Sequence, residues 1–82
     1  MDELTVRDIA QQACREENLG WSVSSISRNL DDSRVWDILY DAWGRKYHKI
    51  LVRVTPEADS TRESLTAEVR AFLRSLKKSG RL

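Results

Sequence analysis

With 82 residues, 40% of them hydrophobic and 33% charged, the chain is long enough for one hydrophobic core and too short for two, and its composition lies in the globular range. A formal net charge of +1 lacks the cationic excess of dedicated nucleic-acid binders, and a single cysteine, Cys14, excludes an intramolecular disulfide framework. No stretch approaches the roughly 18–20 apolar residues of a membrane span, and the opening Met1-Asp2-Glu3 does not read as a secretory signal. We therefore expect one α+β domain over residues 1–82, in a reducing cytoplasm and with no membrane partner.

The first element is a helix over about 6–18. Val6, Ile9, Ala10, Ala13 and Cys14 recur at helical spacing, Thr5 with Asp8 approximates a capping box, and Asn18-Leu19-Gly20 supplies a stop. Residues 21–29 are β-branched, aromatic or serine and read as a strand. Trp21 and Val23 fall on one face and Ile26 and Leu30 on the other, which predicts a bulge near Ser24-Ser25 or an edge position. Asp31-Asp32-Ser33 forms a turn.

The second and third strands, about 35–43 and 47–55, share one register that makes sense of nearly every residue. A three-residue loop of Gly44, Arg45 and Lys46 sets Trp43 opposite Tyr47, Asp41 opposite Lys49, Leu39 opposite Leu51 and Asp37 opposite Arg53. The other face then carries Trp36, Ile38, Tyr40 and Ala42 against Val54, Val52, Ile50 and His48, the expected core side. A one-residue slip would mix charges into that side. Pro56 ends the third strand. The final helix, about 60–79, opens with Ser60 and Glu63 as a capping box, buries Leu65, Val69, Phe72, Leu73 and Leu76, and stops at Gly80. The expected fold is a two-layer helix, three-stranded antiparallel meander and helix, with both helices on one face.

The order of elements resembles the topology of the double-stranded-RNA-binding domain. That family reads its ligand with a lysine-rich start to its last helix and a Gly-Pro-containing loop between its first two strands. Here those positions hold Ser60-Thr61-Arg62-Glu63 and Asp31-Asp32-Ser33, so no function is carried across.

Catalytic material is sparse. His48 is expected to be a partly buried structural residue and Cys14 a small core residue. A small-molecule site near His48 and Tyr40 is the weakest reading, and no catalytic residue, metal ligand or cofactor is assigned. Glu16-Glu17 and Asp31-Asp32 lack the geometry of paired-carboxylate chemistry, since neighbours on a helix diverge. The face bearing Asp37, Leu39, Asp41, Trp43, Tyr47, Lys49, Leu51 and Arg53 is the candidate surface. An apolar and aromatic patch ringed by charge marks an interface if both helices cover the opposite side, and an ordinary solvated face is the alternative. The first expectation is a non-enzymatic protein-interaction or oligomerisation module using Leu39, Trp43, Tyr47 and Leu51, toward a protein partner or a second copy. The second is a nucleic-acid surface that stacks bases on Trp43 and Tyr47 and tracks phosphates with Arg45, Lys46, Lys49 and Arg53. Arg70, Arg74, Lys77, Lys78 and Arg81 line the solvent side of the last helix, where they serve either an anionic partner or the helix dipole.

Overall fold

The computed structural model describes residues 2–43 and 48–79. The expected loop of Gly44, Arg45 and Lys46, the Trp43–Tyr47 pair, the stop at Gly80 and the basic Arg81 involve positions outside the described residues. The elements follow in the order α1 (Glu3–Glu16), β1 (Ser22–Arg28), β2 (Trp36–Ala42), β3 (His48–Val54) and α2 (Arg62–Lys78). The sheet is a meander with spatial order β1-β2-β3, antiparallel throughout.

Helix α1 begins three residues earlier than its apolar stripe predicts. Asp2 is the N-cap, its Oδ1 accepting from the Thr5 backbone N–H at 2.9 Å, so Thr5 lies inside the first turn and the expected Thr5–Asp8 box does not form. The periodicity misses this turn because Leu4 stays exposed. At the other end Asn18 takes φ 57°. The Leu19 N–H bonds the Cys14 carbonyl and the Asn18 N–H bonds that of Arg15, a Schellman closure with asparagine in the left-handed position.

The β2–β3 register is the expected one at every described pair: Asp37↔Arg53, Leu39↔Leu51 and Asp41↔Lys49 on one face, Trp36↔Val54, Ile38↔Val52, Tyr40↔Ile50 and Ala42↔His48 on the other. Strand β1 joins with a register shift between Val23 and Ser25. That bulge corrects the expected division of its apolar residues. Val23 is opposite Tyr40 and Ile26 opposite Ile38, so both turn to the core side with Trp21, while Leu30 has left the strand and is fully exposed.

Helix α2 is capped by Thr61 instead of Ser60. The Thr61 Oγ1 accepts from the Ser64 N–H at 3.0 Å and the Ser64 Oγ accepts from the Thr61 N–H at 2.9 Å. Ser60 serves the preceding turn, accepting from the Glu57 N–H at 2.8 Å. Leu65, Val69 and Leu73 are buried as expected; Phe72, expected in the same stripe, is 42% exposed, because it lies on the flank of that stripe.

Both helices pack on the face of Trp36, Ile38, Tyr40, Val52 and Val54, α1 over β1 and β2 and α2 over β3. Tyr40 is at the centre. It is fully buried, meets Trp21 edge-on with ring centroids 5.9 Å apart, and donates its hydroxyl to the Ala10 carbonyl of α1 at 2.7 Å. Burial pushes its pKa up, which keeps the hydroxyl a donor.

The helices run in the same direction and are tied at two levels. Arg62 bonds Asp8 and, at 2.7 Å, Gln12. Further along, Glu17 accepts from Arg70 Nε at 2.9 Å and from an Arg74 terminal nitrogen at 3.0 Å, and Lys77 donates to the Glu17 carbonyl at 3.0 Å.

Candidate interaction surface

With both helices on one side, the opposite side of the sheet is uncovered by either. Its side chains form three rows across the strands: Ser22–Asp41–Lys49, Ser25–Leu39–Leu51 and Ser27–Asp37–Arg53. A leucine row is thus flanked by two charged rows, and by strand alternation Trp43 extends the β2 column beyond Asp41. Trp43 is 60% and Leu51 44% exposed, while Leu39 is half-buried between its neighbours.

The charges are ordered by column. Strand β2 supplies the carboxylates and β3 the cations, with Arg53 Nε 3.1 Å from Asp37 Oδ1 and Lys49 Nζ 3.4 Å from Asp41 Oδ1. Asn29 adds a hydrogen bond from Nδ2 to Asp37 Oδ2 at 3.2 Å, and its own side-chain oxygen accepts from the backbone of Asp31 and Asp32. One residue therefore organises the β1–β2 turn and positions Asp37. Sequence reasoning placed the turn on the aspartates and missed Asn29, although an Asn before two acidic residues is itself a turn signal.

Leu39 and Leu51 pair across β2 and β3, with Lys49 and Arg53 beside Leu51, and exposed Trp43 follows the end of β2; Tyr47, Arg45 and Lys46 lie outside the described residues. Other expectations are corrected. His48 is exposed rather than partly buried, because it begins an edge strand. The Tyr40 hydroxyl is buried in the core and donates to the Ala10 carbonyl. Arg70, Arg74 and Lys77, expected on the solvent side of α2, converge on Glu17, only 6% exposed, and Arg74 and then Arg70, by hydrogen bonding, hold its carboxyl down at about 2. No local pattern predicts this, since the partners are more than fifty residues apart in sequence.

Cys14 is buried, its thiol 3.2 Å from the Leu19 carbonyl, and burial raises its pKa. Among the described residues, no group of three or more His, Cys, Asp or Glu is placed to hold a metal ion, and no helix is long and apolar enough to cross a membrane. No protein-family model, curated protein or solved structure matches the chain.

Proposed function

We propose that the protein is a small non-enzymatic interaction module that associates with a second copy of itself through the outer face of its sheet. The observation that carries this reading is the row of Leu39 and Leu51 set between charged rows, with exposed Trp43 beyond the Asp41 row, on a face covered by neither helix. The columns make the face self-complementary. When two copies meet about a two-fold axis, the aspartate column of one can lie against the Lys49–Arg53 column of the other while the leucine rows meet at the centre and Trp43 packs at the end of the contact.

The area sets the strength. A face three strands wide and seven residues long measures roughly 14 by 24 Å, which places the contact at the low end of specific interfaces and predicts a weak dimer. A nucleic-acid surface on the same face would bring phosphates against the Asp37 and Asp41 carboxylates that stand beside Arg53 and Lys49, and the α2 arginines that could support it are paired with Glu17. The test is sedimentation across a concentration series for the wild type beside Trp43→Ala. The reading expects association of the wild type that the variant loses; monomers throughout would count against it.

A further inference from the structure

The two edges of the sheet are not equivalent. Strand β1 is closed from the side: its bulge distorts the edge at Ser24, and Gln11 of α1 accepts from the Val23 N–H at 3.3 Å and donates to the Trp21 carbonyl at 3.4 Å. A bulge and a side chain on the backbone are devices that blunt an edge. Strand β3 has neither. Its seven residues pair without a shift, and among the described residues no side chain bonds the backbone of Ile50 to Val54.

Beside this edge stands an apolar ledge. Helix α2 turns Arg62, Arg70 and Arg74 toward α1, and Phe72 lies roughly 160–200° around the helix from Arg70 and Arg74. Because α1 lies over β1 and β2 and α2 over β3, that flank faces past the open edge. Phe72 is 42% exposed on that flank, and Leu76 and Ile50 are half-buried.

We propose that the β3 edge and the Phe72 flank of α2 receive an extended peptide segment whose outward residues alternate acidic, aliphatic, acidic. Strand β2 is the template: it satisfies β3 from the other side with Asp37, Leu39 and Asp41 against Arg53, Leu51 and Lys49. A strand added at the open edge meets the same three residues, and its inward side chains fall against Phe72. A second copy of β3 fits less well than an acidic strand: antiparallel pairing centred on Leu51 sets Lys49 against Arg53, where like charges directly opposite are unfavourable, and centring on Val52 sets Leu51 against Arg53 and gives neither cation an acidic partner. The edge contact thus adjoins the face-to-face contact without depending on it, and takes a different occupant.

The test uses the wild-type protein and one surface variant, Phe72→Ala. Nitrogen-15-labelled protein is titrated with a capped peptide, Thr-Asp-Ile-Leu-Val-Asp-Thr, and with its counterpart bearing lysine at both aspartates. The proposal expects amide shifts along Ile50 to Val54 and at Phe72, affinity for the acidic peptide at least about tenfold above that for the lysine peptide, and weaker binding to Phe72→Ala, whose exposed site leaves the fold intact. No shift, equal affinities, shifts confined to Ser25 and Leu39, or the same amides shifting at low salt with a single-stranded oligonucleotide but neither peptide would each overturn it. Because the peptides can fail while wild-type sedimentation still reveals association, loss of the edge site and loss of the face contact are told apart.

Discussion

Glu17 ties the end of α1 to α2 through an ionised carboxylate, and this makes the fold sensitive to acid. Its folded pKa of about 2 lies below the ordinary 4.5, so its contribution is complete above about 4.5 and fades as pH falls toward about 2. Glu17→Gln is therefore expected to unfold at lower temperature than the wild type near neutrality, with the difference shrinking across that acidic window. A difference that stays constant with pH would place the effect in packing and not in charge. The neighbouring Asn18 carries the positive φ of the helix stop. Asn18→Gly should stabilise the protein by ~0.5 kcal/mol in urea unfolding and Asn18→Ala should destabilise it by ~1 kcal/mol; the opposite order would contradict the left-handed assignment.

At the scale of elements, the strands were far more legible than the helix ends. Asp37, Asp41, Lys49 and Arg53 fix the β2–β3 register because only one alignment pairs them while keeping Ile38, Tyr40 and Val52 together, and that alignment is the one observed. The bulge in β1 was readable as a break in alternation, but its consequence was not: one extra residue returns Ile26 to the same side as Trp21 and Val23. Caps were ambiguous because Asp2 and Thr5, like Ser60 and Thr61, are all competent side chains, and the choice depends on which turn the backbone closes. The Glu17 cluster was invisible because tertiary packing brings its members together. The Tyr40 hydroxyl bond to Ala10 is a fully buried polar link between the helical layer and the sheet. Tyr40→Phe should cost ~0.5–1.5 kcal/mol in urea unfolding with an unchanged m-value, and no loss of stability would show that this bond contributes nothing net.

For the whole molecule, the placement of both helices on one side leaves the opposite face of the sheet uncovered by either. The candidate face was legible in outline from Leu39, Leu51 and Trp43, yet whether it faced solvent depended on helix packing, which strand amphipathicity on both sides could not fix. The same packing leaves β3 as the open edge and brings Arg70, Arg74 and Lys77 to Glu17. The central claim is that the uncovered face associates with a second copy. Sedimentation equilibrium up to roughly millimolar protein, the range expected for so small a contact, addresses it directly: wild-type protein should show reversible dimerisation and Trp43→Ala should remain monomeric. Wild-type protein that stays monomeric throughout, or a Trp43→Ala dimer of equal strength, would contradict it.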